Sequence, residues 1–275
     1  MPYFVRTGAT TFVPTEHVGG AWNVEEQHIA PAFGLMAHLV EADRDARRDD
    51  ELVLARLSYD ILGVLPMDEC EVTVRVVRPG RTIELVEASL SHAGRVGVVL
   101  RAWLMTPGDT TAVAAGDLPA MPAPDEVPEW DPTAVWPGGF IAAARLRRAQ
   151  ERPGRARFWA RTDVPLLDEP TSTTARAVGL FDIANGMTVR ADPRDVLFPN
   201  LDLTAHLFRQ PVEGWVGFDT TVTFGPTGQG LTSSVLHDEA GPIGTLAQVL
   251  TVRPGGQPLA GRSTRAARCA GARRQ

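Results

Sequence analysis

The chain contains no lysine: every one of its 27 basic side chains is an arginine. Schiff-base chemistry on a lysine amine is thereby excluded. Cysteine is nearly as scarce. Cys70 and Cys269 stand alone, too few for a disulfide framework or a metal-binding spacing. No apolar run approaches the ~20 residues of a membrane span. The opening MPYFVRTGATTFVPTEH has no basic region followed by an apolar core, so no secretory signal is expected and a cytoplasmic location is. No G-x-S-x-G elbow, G-x-G-x-x-G turn, P-loop or cysteine/histidine cluster occurs, which argues against a serine nucleophile, a dinucleotide cofactor and a bound metal.

What is present is the composition of an ordinary soluble globular chain: 275 residues, 44% hydrophobic and 22% charged. The net charge of −6 is uneven. Residues 253–275 hold six arginines and no acid, so the remainder carries 27 − 6 = 21 basic against 33 acidic groups, or −12. Residues 254–275 have one leucine and no aromatic ring, and are expected to form a disordered basic tail. Outside that tail nothing supports nucleic-acid binding.

The sequence repeats itself. AFGL at Ala32–Leu35 matches AVGL at Ala177–Leu180, and the glycines are 179 − 34 = 145 apart; Pro66 and Pro211 share that offset. A duplicated module of roughly 100 residues follows. In the first copy Thr10–Val18 reads as a strand and Pro31–Ala42 as a helix, with Phe33, Met36, Ala37 and Val40 at helical spacing. Leu52–Tyr59, Glu69–Val77, Thr82–His92 and Arg95–Leu104 read as strands. In the second copy Ala156–Val164 is a strand. Ser172 or Thr173 caps a helix through Ala184, stopped by Asn185-Gly186. Between the copies, Thr106–Gly139 is proline-rich and unsuited to a sheet, while Phe140–Gln150 has the composition of a short helix. The expected division is 1–105, a linker at 106–149, and 150–253. One long helix between a first strand and a run of antiparallel strands suggests an α+β fold, a sheet wrapped round a central helix.

The segment Phe198–Val252 reads as four strands, each carrying a polar residue where a buried sheet prefers an apolar one. Leu201, Leu203, Ala205 and Leu207 alternate with Asp202, Thr204 and His206. Gln248 interrupts an apolar run, and a buried amide without partners costs roughly 1–3 kcal/mol. Asp202, Thr223 and Gln248 therefore stand out. The stretches NLDLTAHLFRQP, GQGLTSSVLHDEAGPIG and LAQ resemble the type II acyl-CoA thioesterases of double-hotdog architecture, and the resemblance extends over most of residues 10–253. It implies two tandem hotdog modules, hydrolysis of an acyl-CoA thioester without a cofactor, and homo-oligomers formed through the sheets. It also implies that an Asp, a hydroxyl and a Gln activate water, assigned here to Asp202, Thr223 and Gln248, with Thr220 and Thr221 close enough to compete for the hydroxyl role. His28, Ile29, Ala30 and Gly34 then fall on the substrate side, at the start of the first helix. Relatives often have a glycine pair where Ile29-Ala30 stands, which favours, as the alternative, a double hotdog that binds an acyl thioester or apolar ligand without cleaving it. His206 shares the Asp202 face, and His38 reads as a packing residue. At the equivalent first-copy places stand Leu57, Arg78 and Arg101, so the first copy lacks the set.

Overall fold

The computed structural model describes residues 1–255. Thirteen strands form one sheet: β1 (Phe4–Arg6), β2 (Thr11–Pro14), β3 (Val53–Ile61), β4 (Cys70–Arg78), β5 (Ile83–His92), β6 (Arg95–Met105), β7 (Glu129–Trp130), β8 (Ala144–Arg152), β9 (Arg155–Thr162), β11 (Asp202–Leu207), β12 (Val216–Phe224), β13 (Gln229–Asp238) and β14 (Gly241–Thr251). The short β10 (Val196–Leu197) and β15 (Arg253–Pro254) pair with each other. The order in the large sheet is β1-β2-β4-β5-β6-β3-β11-β14-β13-β12-β9-β8-β7. Read outward from the central β3–β11 pair, the two wings mirror each other, as expected when a strand order is used twice. The central pair is antiparallel, with Leu203 opposite Tyr59 and Ala205 opposite Leu57. These four side chains are buried, so the two copies share one continuous core.

Helix α1 (Ile29–Arg47) lies within that core. From Ala30 through His38 every residue is buried, the pattern of a central helix rather than an amphipathic surface one. Phe33 stacks on Tyr59 with centroids 3.9 Å apart, and the Tyr59 hydroxyl donates to the Phe33 carbonyl at 2.9 Å. Gly34 crosses helix α3 (Thr173–Val178): a Cβ on Gly34 would meet the Ala175 carbonyl oxygen at 2.8 Å and the Gly179 Cα at 2.9 Å. The two glycines at the 145-residue offset therefore touch, and their lack of a side chain sets how closely the helices approach.

Several sequence expectations need correction. The second helix does not run unbroken from Thr173 to Ala184. It is capped by Ser172, ends as α3 at Val178, continues as a 3-10 turn over Phe181–Ile183, and finishes as α4 (Ala184–Met187). The Leu180 amide bonds to the Ala177 carbonyl at 2.9 Å, tightening the chain just after the glycine contact. Phe140–Gln150 is helical only at its start, in α2 (Gly139–Ala143); β8 follows, with Ala144 and Leu146 buried and Arg145 exposed. Pairing with β9 outweighs the helix propensity of that segment. Part of the proline-rich connection also enters the sheet, as β7. The first strand of the first copy stops at Pro14, and Glu16–Val18 is a 3-10 turn capped by Thr15. Of the tail expected to be disordered, Pro254 belongs to β15 and the Gly255 amide bonds to the Asp195 carbonyl; residues 256–275 lie outside the described residues, Cys269 among them.

Candidate active site

Three segments converge beneath the start of α1. The 3-10 turn after α3 buries Phe181, edge-on to Phe218 at 6.4 Å, and presents Asp182. The residues between β10 and β11 supply Asn200. Strand β14 supplies Gln248, fully buried because Leu246 and Leu250 at two-residue spacing face the same side. Gln248 Nε2 donates to Asp182 Oδ1 at 2.8 Å, and Asn200 Nδ2 donates to the same oxygen at 2.6 Å. Asp182 Oδ2 has no protein partner among the described residues. Gln248 Oε1 is also buried without one, as is the hydroxyl of Thr232, its cross-strand neighbour.

Asp182 and Asn200 line a cavity of about 380 Å³. His28 and Ile29, at the N-terminus of α1, line it too, and Trp22, Trp136 and Phe198 form an aromatic wall. Trp22 meets Trp136 edge-on at 4.7 Å and Phe198 at 5.3 Å. Burial disfavours the ionised carboxylate and pushes Asp182 up to about 7, opposed by the hydrogen bonds from Asn200 and Gln248 and assisted by the nearby negative charge of Asp202. Burial also pushes His28 down to about 3, so its ring is neutral. Its Nδ1 accepts the Ala30 amide at 3.2 Å, capping α1, and the ring packs on Phe140 at 4.3 Å. The proton of the neutral ring is then on Nε2, a donor with no protein partner among the described residues.

The residues singled out in the sequence do not all meet here. Gln248 reaches Asp182 rather than Asp202. Asp202 lies on the other face of β11, because Leu203 and Ala205 take the inner one; its Oδ1 accepts the Val249 amide at 2.6 Å. Thr223 is exposed, since Val222 beside it faces inward. Thr220 is inward and fully buried, but its hydroxyl is bonded to Ser234 Oγ at 2.7 Å, and Thr221 shares the outward parity of Thr223. Of the four residues expected on the substrate side, His28 and Ile29 line the cavity. Ala30 is buried and contributes its amide to His28. Gly34 is not among the residues lining the cavity and is occupied in the α1–α3 crossing. His206 is exposed on the outer face, and His38 Nε2 sits 2.9 Å from Glu169 Oε1.

Asp182 and Asn200 are functional candidates that the sequence alone does not single out. The available signal was a carboxylate between Phe181 and Ile183 in an otherwise apolar stretch. A polar residue in such a run needs partners, and here two amides supply them.

The architecture resembles solved hotdog proteins. A conserved protein with hot dog fold from Alicyclobacillus acidocaldarius shares 15% identity, with 90% of this chain and 95% of that one covered and a TM-score of 0.71. The acyl-CoA thioesterase II TesB2 of Mycobacterium marinum shares 16% identity over 93% and 97% of the two chains, with a TM-score of 0.65. The tesB protein of Mycobacterium avium subs paratuberculosis shares 15% over 91% and 96%, with a TM-score of 0.64. At these identities the likeness speaks for the fold. No curated protein matches the chain in sequence. Two family models do: the acyl-CoA thioesterase N-terminal domain matches residues 19–105 and the C-terminal domain residues 115–252. With most of its length matched, the chain belongs to the acyl-CoA thioesterase family, and it is a thioester hydrolase.

Proposed function

We propose that this chain hydrolyses an acyl-CoA thioester at the Asp182 cavity, with Asp182 as the general base. The observation that carries the reading is the convergence of two amide donors on one oxygen of a buried carboxylate. Asn200 and Gln248 fix Oδ1, and Oδ2 remains to take a proton from water. The water oxygen adds to the thioester carbonyl carbon as its proton passes to Asp182. The carbonyl oxygen gains negative charge and needs donors; the Ile29 amide at the start of α1 and the neutral His28 ring are the groups on that side of the cavity. Collapse of the tetrahedral species breaks the C–S bond, and the proton held by Asp182 goes to the leaving thiolate. The products are the free acid and CoA. A carboxyl whose pKa is raised to about 7 by burial is half ionised at neutral pH, and its ionised form is basic enough to act. Asp202 and Thr223 have no part in this scheme.

The mirrored strand order supports two hotdog modules, at 1–105 and 150–253, with the connection 106–149 lending β7 and most of β8 to the edge of the second. Association of copies of the chain through their sheets belongs to the same reading, and light scattering tests whether the chain is oligomeric.

A second reading, binding without turnover, is favoured by one feature: Ile29 occupies the cavity wall where a glycine gives the thioester closer access to backbone. Thiol release over a panel of acyl-CoAs separates the two. Turnover that disappears in Asp182→Asn establishes the hydrolase; tight binding with no release on any acyl group establishes the binding module. Joint replacement of Ile29 and Ala30 by glycine is expected to raise the rate on bulky acyl groups, and an unchanged rate removes crowding as the reason for slow turnover.

A further inference from the structure

Among the described residues, Arg253 is the one cation whose side chain lines the Asp182 cavity. It stands on β15, opposite Leu197 of β10. Its Nε is buried with no partner, and its guanidinium makes no ion pair or hydrogen bond among the described residues. Leaving a buried cationic N–H unpaired is costly, and a resident anion would relieve it. A second cleft, of about 520 Å³, lies along the segment that leads from α4 to β10 and is lined by Trp130, Arg148, Arg190 and Arg194. Arg148 lies over the Trp130 ring at 4.1 Å, with its Nε buried and unpartnered. Arg190 bonds only to the Val222 carbonyl, at 3.2 Å. Neither has a carboxylate partner among the described residues, whereas Arg194 is held by Asp192 at 2.6 Å. Residues lining the cavity and residues lining the cleft are near neighbours in sequence at three places: Trp136 and Val135, Met187 and Val189, Leu197 and Arg194.

We propose that Arg253, followed by Arg148 and Arg190, forms a path for the phosphates of the CoA nucleotide, leading from the Asp182 cavity into the neighbouring cleft. The proposal rests on the acyl-CoA reading of that cavity. Each group of the ligand finds a surface of matching chemistry in the protein. The thioester belongs at Asp182, and the uncharged pantetheine arm along Trp22, Trp136 and Phe198. The pyrophosphate is assigned to Arg253, the cation of that cavity, and the ribose 3′-phosphate to Arg148 and Arg190 in the second cleft. Guanidinium groups suit this task because they offer paired N–H donors to phosphate oxygens.

Calorimetric binding of three unacylated ligands tests the path without turnover: CoA, dephospho-CoA and pantetheine. The wild-type chain should bind CoA at least tenfold more tightly than pantetheine, with an affinity that falls as salt is added while that of pantetheine does not. Arg253→Gln should weaken CoA and dephospho-CoA tenfold or more and pantetheine less than twofold. The Arg148→Gln, Arg190→Gln double variant should weaken CoA and spare dephospho-CoA. Equal losses on all three ligands overturn the assignment, since the arginines would then act through the fold. So does a wild-type chain that binds CoA no better than pantetheine, a measurement that stands even where a variant fails to fold. A wild-type chain that shows the expected ligand order but releases no thiol from any acyl-CoA keeps the phosphate path and removes the hydrolase reading instead.

Discussion

At the scale of single residues, chemistry and stability pull on Asp182 in opposite directions. Its folded-state pKa, raised to about 7 by burial, lies above the ~3.9 of a free aspartate. The folded chain therefore binds this proton more tightly than the unfolded one. The associated stability is complete below pH ~4 and is lost as pH rises through ~7. Above that, the ionised buried carboxylate costs up to roughly 4 kcal/mol. Asp182→Asn keeps the shape and both amide contacts without the charge. Hydrolysis should fall by ~10²–10⁴, while the melting temperature at pH 8 should rise relative to wild type, with the gap closing toward pH 5. Unchanged turnover would remove Asp182 from the mechanism. The wild-type kcat/KM should follow the ionised carboxylate, climbing with pH through about 7 and levelling above it. Asp202→Asn offers a contrast. Asp202 adds negative charge near Asp182, so its neutralisation should retain turnover and move that acid limb to lower pH. A loss of turnover comparable to that of Asp182→Asn would instead make Asp202 the base.

At the scale of elements, the α1–α3 crossing sets the site. Gly34 and Gly179 allow the helices to touch, and the chain turns immediately afterward to bring Asp182 to the cavity. Gly34→Val would drive a side chain into the Ala175 carbonyl and the Gly179 backbone, none of which can move aside as a flexible side chain could. A loss of at least ~1–3 kcal/mol is expected from such overpacking, read in a urea melt, with activity reduced in the fraction that remains folded. Polar groups at the same crossing are paired: Ser172 Oγ donates to Glu41 Oε2 at 2.5 Å, and His38 meets Glu169. They serve packing there, as the sequence suggested for His38.

At the scale of the whole molecule, the two copies are not independent. Strand β3 pairs with β11, and α1 packs on α3, so each copy completes the other's core. The cavity likewise takes its helix start from the first copy and its carboxylate from the second. Residues 1–105 alone would expose the β3 edge and the apolar face that buries α3, an invitation to aggregate. Expressed separately, each half should be insoluble or lack a cooperative melt, and co-expression should recover soluble protein and thiol release. A monomeric, cooperatively folding 1–105 fragment would count against this shared-core account.

The local pattern of the sequence determined much of this protein. Alternation is enough to place the strands of Phe198–Val252, the offset between Gly34 and Gly179 points to a repeat, and Gln248 stands out as an amide in an apolar strand. Those signals are local, or recur at a fixed spacing, and survive without coordinates. Partnership was different. Asp202 and Gln248 lie on neighbouring strands with side chains on opposite faces, and a one-residue difference in parity separates a buried group from an exposed one. The same parity turned Thr223 outward. Asp182 comes to Gln248 from 66 residues away along the chain, through a helix that breaks where two glycines meet. Propensity could not foresee that break, nor that Ala144–Arg152 would be recruited as a strand, because in both places the deciding contacts come from distant segments. Tertiary structure alone decided which polar residues share a cavity, since the free energy that holds them there comes from packing between elements the sequence does not place side by side.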